Sequence, residues 1–222
     1  MTNYKTEISE KNEKVKARHL VDGLRVNFER YHSKKAKAIA TLPYVVWAQE
    51  KEILKTARQE NTKLFCYEKE EDIFWRNLDS PKVSRMIDQN DDILSYRNIE
   101  MPRNGVVNYN YYNNPMFIWR DYCGAATRTR MAESTEQCAK GSVVVVTFLR
   151  TSGRGSHDLD WEIQDGGGNY ARSLEPYVER KFSEKDWLCI WSHPYATSPQ
   201  SKMLMMAFVN CEKMYRSLIK NN

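Results

Sequence analysis

Three carboxylates at alternate positions, Asp158, Asp160 and Glu162, stand beside His157 in the run "HDLDWEIQ". On an extended strand such residues share one face, spaced roughly 7 Å apart. They could hold a divalent cation if the strand bulges, or divide acid and base roles. The plainer expectation is a solvated strand face opposite an inward Leu159, Trp161 and Ile163. Cys123 in "RDYCGAA" and His193 in "WSHPY" are the one nucleophile–base pair worth naming, and no spacing ties them together. The loop "TSGRGSHD", residues 151–158, carries Arg154 and two glycines but lacks the Lys-Ser/Thr ending of a phosphate cradle. It reads as a hairpin loop. No catalytic residue and no metal ligand is assigned, and no cofactor is implied.

A second candidate chemistry is aromatic. The stretch "NYNYYNNPMFIWRDYCG", residues 108–124, holds six aromatic residues, and the whole chain is 12% aromatic, with 6 Trp and 13 Tyr. Asn113-Asn114-Pro115 reads as a turn, with Tyr109 and Tyr111 sharing a face before it and Phe117 and Trp119 after it. Arg120, Arg128 and Arg130 follow, the last two at strand spacing. Rings interleaved with Arg on a sheet suit single-stranded nucleic acid. Cross-strand core packing is the simpler use of the same residues.

The elements that must position these residues change character along the chain. Residues 1–63 hold 14 basic and 8 acidic side chains, while the rest holds 20 and 21, so the net charge of +5 resides at the N-terminal end. Leu20, Leu24, Phe28 and Tyr31 step by three and four, which predicts an amphipathic helix within residues 7–40. Pro43 then interrupts, and "YVVWAQEKEILKTARQEN" predicts a second helix. The expected organisation is a basic two-helix segment, residues 1–62, followed by an α+β domain, residues 63–222. In that domain short β-type runs ("GVVNYNYY", "MFIWRDYC", "ATRTRMAE", "SVVVVTFLR", "DLDWEIQ") alternate with turn residues. "DWLCIWSHPY" is apolar on both faces and predicts a central strand. Ser198 and Pro199 then suggest the cap and first turn of a long closing helix, with Leu204, Phe208, Cys211, Tyr215 and Leu218 on one stripe. The expected fold is therefore α+β: an antiparallel sheet covered by helices, with an N-terminal helical segment and a long C-terminal helix.

In element order, "DWLCIWSHPYATSPQSKMLMMAFVNCEKMYRSL" resembles the final strand, loop and lid helix of START-type helix-grip domains. The basic two-helix start departs from that pattern. The resemblance implies a non-enzymatic binding module closing a hydrophobic ligand or lipid between a curved sheet and the last helix. Trp119, Trp187, Trp191, Met203, Met206 and Phe208 are the candidate lining residues, and methionine suits a surface that repacks around varied guests. The alternative reading is a nucleic-acid-binding or self-assembling protein of nucleocapsid or coat type, a homo-oligomer on RNA or DNA. Its candidate phosphate contacts are Arg25, Arg30, Lys34, Lys35, Lys37, Arg128 and Arg130. A hydrolase-type enzyme using Cys123 or the acidic row comes third. An odd count of five cysteines without short spacings argues against a disulfide framework and predicts a cytoplasmic setting. No apolar run reaches transmembrane length.

Overall fold

The computed structural model describes residues 13–33, 37–41, 62–66, 114–122, 124–135, 138–150, 159, 162–163, 169–198 and 201–219. Among them are helices α1 (Glu13–Tyr31), α2 (Arg128–Ser134), α3 (Tyr170–Ser183) and α4 (Glu212–Ile219). Six strands, β1 (Lys37–Thr41), β2 (Thr62–Cys66), β3 (Met116–Asp121), β4 (Val143–Leu149), β5 (Leu188–Ser198) and β6 (Ser201–Val209), form one sheet in the order β2-β1-β3-β4-β6-β5. β1 runs parallel to β2 and β3, and β3 parallel to β4. β6 is antiparallel to both β4 and β5. Five strands therefore point one way and β6 alone opposes them.

The α+β character expected from the sequence is present, with helices covering a sheet, but the sheet is mixed rather than antiparallel. Its central strands are buried on both faces, as covered parallel strands must be. Phe117, Trp119, Val143 and Val145 face α1 and α4, packing with Ala17, Val21, Leu24, Phe28, Met214 and Leu218. Met116, Ile118, Val144, Val146 and Phe148 face the other way, onto Met131 of α2 and onto Leu174, Val178 and Phe182 of α3. α1 docks through Ala17, Val21, Leu24 and Phe28, while Leu20 (43% exposed) and Tyr31 (42%) stay outside. Hence α1, drawn from the basic segment 1–62, shares its core with β3, β4 and β6, and β1 from the same segment pairs with β3. The second helix expected after Pro43 lies outside the described residues.

The long closing helix is not there. β5 and β6 form a hairpin in which Ser198 pairs with Ser201, and only the eight residues of α4 are helical. The physical reason lies in "MLMMAFV": Met203 through Val209 are all buried, which a one-sided surface helix cannot achieve but an internal strand covered on two faces requires. "DWLCIWSHPY" is a strand as expected, yet it lies at the edge of the sheet. "ATRTRMAE" is not a strand: Thr127 accepts a hydrogen bond from Arg130 N at 3.3 Å and caps α2. α3 was not anticipated. Asn169 accepts from Ala171 N at 3.0 Å to start it, and Tyr170, Leu174, Tyr177, Val178 and Phe182 form its buried face.

The amino edge of the parallel strands is stapled by polar groups. His32 Nε2 donates to the Gly141 carbonyl at 3.0 Å, which ties the end of α1 to the turn before β4. Gly141 has φ +90°, and a Cβ there would sit 2.9 Å from His32 Cε1, so both conformation and space require glycine. Asn210 accepts from Gly141 N at 2.8 Å and donates to Cys138 O at 2.9 Å. Ser142 Oγ accepts from Met116 N at 2.9 Å and donates to Ala139 O at 2.7 Å.

Candidate functional site

In a doubly wound sheet, ligands enter the crevice at the carboxyl ends of the strands, where the strand order reverses. After β1 the chain moves outward to β2, then returns to place β3 on the other side of β1. The reversal is between β1 and β3, whose carboxyl ends are Thr41 and Asp121. Sequence reasoning missed this place because it depends on which strands pair, a property no local pattern carries.

Next to this switch point the described residues are the end of β3 and α2. Along β3 the pleat sends Phe117, Trp119 and Asp121 to one face and Ile118 and Arg120 to the other. Asp121 is part-exposed at the strand tip. Arg120 is buried, with Nη1 3.9 Å from Glu133 Oε2 of α2. The Tyr122 ring stacks on Phe148 at 5.4 Å and lies under the Arg130 guanidinium, also at 5.4 Å. Its hydroxyl has three acceptors in reach: Ser134 Oγ at 3.0 Å, Glu133 Oε2 at 3.2 Å and Arg130 O at 3.3 Å. Burial raises the Tyr122 pKa, against the lowering effect of Arg120. The phenol is therefore neutral near pH 7, a donor rather than a base. Arg130 Nη1 donates to Ala125 O at 2.6 Å; a Cβ on Gly124 would lie 2.6 Å from that nitrogen, so glycine admits the guanidinium. Leu149 N donates to Gly124 O at 2.8 Å and joins the ends of β3 and β4.

The residues selected from the sequence do not meet at one place. Trp119 and Met203 lie in the core against α1, with Trp191 packed at its margin. Trp187, Met206 and Phe208 lie in the opposite core, where Phe208 stacks on Phe182 with centroids 3.7 Å apart. The sheet itself separates the two sets. The non-enzymatic module with an apolar ligand under a C-terminal helix is thus overturned: the lid is a hairpin, and its methionines are sheet core.

The basic residues are equally dispersed. Arg25 is 3% exposed and pairs with Glu29 at 2.7 Å and Asp22 at 3.7 Å within α1. Arg30 is exposed. Arg128 pairs with Glu162, whose other oxygen accepts from Tyr177 at 3.2 Å. Lys34 and Lys35 lie outside the described residues, and of Lys37 only its place in β1 is described. Among the described residues these groups form no basic surface for RNA or DNA.

Of the acidic row only Glu162 is described, and it is helical. Ile163 N donates to Leu159 O at 2.9 Å, and both residues are buried; His157, Asp158 and Asp160 lie outside the described residues. Cys123 does too, but β3 just before it and β5 carrying His193 are three strand spacings apart, roughly 14 Å. Burial pushes the Cys189 thiol up to about 12, so it is no nucleophile at neutral pH. Among the described residues no cluster of His, Cys, Asp and Glu is placed to hold a metal ion, and no helix is long and apolar enough to cross a membrane.

Five strands running one way with a single reversed strand, β6, between β4 and β5 define the class: a mixed sheet with helices on both faces. No family model and no curated protein matches the chain. Among solved structures, a putative sarcosine dimethylglycine methyltransferase from Galdieria sulphuraria shares the fold, at 11% identity and a TM-score of 0.51, over 89% of this chain and 86% of that one. The PH0226 protein from Pyrococcus horikoshii OT3 aligns at 7% identity and a TM-score of 0.43, over 87% and 90% of the two chains. A variant of LepI, in complex with SAH and a substrate analogue, aligns at 11% identity and a TM-score of 0.35, over 79% of this chain and 43% of its own. The first of these shares the overall fold. It overturns the lipid-module, nucleic-acid and coat-type expectations together, since the shared architecture is the mixed, doubly wound sheet of that structure and not a helix-grip or coat domain.

Proposed function

We propose that this chain binds a small-molecule ligand in the crevice between the carboxyl ends of β1 and β3 and performs group transfer of the methyltransferase type. One observation carries the reading: the order β2-β1-β3-β4-β6-β5 with β6 alone reversed, the architecture shared with the methyltransferase structure at a TM-score of 0.51.

Two classes of ligand can be tested against the residues present. A dinucleotide needs a glycine-rich first βα turn so that backbone amides close on its pyrophosphate. Residues 42–61, which follow β1, contain no glycine. A dinucleotide does not fit. A methyl donor carries no pyrophosphate for such a turn to close on. The rim offers it a part-exposed carboxylate, Asp121, at the switch point, an acceptor for the hydroxyl or amine of a bound ligand. Tyr122 and Arg120 hold the strand end against α2 behind it. Such a donor supplies an electrophilic methyl group; this chain's part is to bind and orient it and to keep water away from the transfer.

The test is isothermal titration of the full chain with S-adenosylmethionine and, separately, with NAD. Saturable binding of the first and none of the second is expected, with Asp121→Ala weakening the first at least tenfold. Absence of donor binding at millimolar concentration, or equal binding by Asp121→Ala, would remove the reading.

A further inference from the structure

Asp121, the carboxylate proposed above to meet the ligand, ends β3, and the two sides of that strand tip are held differently. β4 pairs with β3 as far as Asp121, which lies opposite Thr147. On the side of the switch point the pairing with β1 stops short of it, at Ile118 opposite Ala40. A tip held on one side only can turn about the strand axis. Because side chains alternate across a strand, such a turn would swing Asp121 off its face.

What opposes the turn is α2. Arg120 and Tyr122, the chain neighbours of Asp121, lie on the face opposite to it, and both reach one oxygen. Glu133 Oε2 is 3.9 Å from Arg120 Nη1 and 3.2 Å from the Tyr122 hydroxyl. Ser134 Oγ stands 3.0 Å from the same hydroxyl, but an ionised carboxylate is the stronger acceptor. The base under Glu133 is firm: Met131 is buried in the core, and Arg130 Nη1 donates to Ala125 O at 2.6 Å. The Glu133 side chain is 13% exposed and that of Arg120 8%. Burying an ion pair costs desolvation that its attraction only roughly offsets, so the pair adds little to the stability of the fold. What it fixes is orientation.

We propose that Glu133 is a positioning residue for ligand binding. By holding Arg120 and Tyr122 on either side of Asp121, it fixes the tip of β3 and with it the direction in which Asp121 is presented at the switch point. The assignment rests on the methyltransferase reading above and adds to it a residue that acts through Asp121.

The experiment combines amide hydrogen exchange, followed by NMR on the full chain, with titration of S-adenosylmethionine. The chains compared are the parent, Glu133→Ala, Glu133→Gln and Tyr122→Phe. In Glu133→Ala the protected amides among residues 119–121 should exchange at least tenfold faster while those of Val144 to Val146 keep the parent rate, because the opening is local. Donor affinity should fall at least tenfold in the same variant, as misplacing a binding group by about 1 Å suffices for that. Glu133→Gln keeps an oxygen for the Tyr122 hydroxyl and should restore part of both; Tyr122→Phe keeps the ring on Phe148 and should lose part of both. Unchanged exchange at the tip in Glu133→Ala, or equal quickening in β4, overturns the proposal whatever the ligand does. Faster exchange at the tip with undiminished donor binding overturns it too. If Glu133→Ala does not fold, Tyr122→Phe decides by the same two measurements. A parent chain that binds no donor is a separate failure: it removes the methyltransferase reading, and the part of Glu133 in ligand binding with it.

Discussion

The two edges of the parallel strands are built on opposite plans. At the amino edge, His32, Gly141, Asn210 and Ser142 join distant parts of the chain by hydrogen bonds of 2.7 to 3.0 Å. At the carboxyl edge, charged and phenolic groups crowd the end of β3. Arg120 Nη1 lies 3.9 Å from Glu133 Oε2, which also accepts from the Tyr122 hydroxyl at 3.2 Å, and Asp121 stands part-exposed at the tip. One edge holds the fold and the other holds polar groups beside a crevice. Buried polar groups that pair locally specify structure; the charges at the strand end lie where the ligand proposed above would meet the chain.

Mutation should separate the two plans. The largest effect belongs to neither edge but to the layer between them. Phe208→Ala removes the ring stacked on Phe182, and a cavity in the core beside the end of β6 should cost about 3–5 kcal/mol, read by urea unfolding. Next comes the amino edge. Asn210→Ala removes its hydrogen bonds to Gly141 N and Cys138 O, for about 2–3 kcal/mol, with no change in affinity for the methyl donor proposed above. The carboxyl edge should show the reverse. Asp121→Asn should alter stability by no more than about 0.5 kcal/mol, as for a surface substitution, while weakening ligand binding at least tenfold. If Asn210→Ala impaired binding as much as Asp121→Asn did, the contrast between the edges would be lost.

How much of this was legible in the sequence depended on how local each feature is. Strand β4 could be read from "SVVVVTFLR", because β-branched residues on both faces have few other uses. Helix α1 was legible too, although its buried stripe is Ala17-Val21-Leu24-Phe28 rather than the one through Leu20 and Tyr31. A single alanine, small enough to let the helix approach the sheet, shifted the face. The spacing of Tyr170, Leu174, Tyr177, Val178 and Phe182 behind Asn169 is a helix signal, but the glycine run just before it reads as a turn. β6 misled for a physical reason: Leu204 and Phe208 fit a helical period, and burial on every side of "MLMMAFV" erases the alternation that marks a strand. The crevice had no signature at all. It arises from the parallel pairing of β1 with β3, in which Ile39 lies opposite Phe117. Residues so far apart in the chain share no local pattern, and only topology brings them together.

The smallest predicted effect tests the boundary between the plans, at the surface where α3 meets the turn before it. Tyr177 donates to Glu162 at 3.2 Å, and Arg180 and Lys181 stand over its ring, each 5.6 Å from the centroid. Burial first, then the Glu162 carboxylate, raise its pKa to about 12 from the ordinary 10.0. The folded chain thus keeps this proton where the unfolded chain has lost it. More protons bound in the native state means that stability falls as pH rises. The contribution is whole below pH 10, declines between pH 10 and about 12, and is gone above that. Tyr177→Phe should lower stability modestly at pH 8 and flatten the decline above pH 10 in urea midpoints taken at several alkaline values. Glu162→Gln should flatten it in part, since the carboxylate is only the second cause. An unchanged alkaline slope in both variants would mean that Tyr122, whose phenol is also raised by burial, governs the alkaline limit, and the carboxyl edge would then bear on stability as well as on binding.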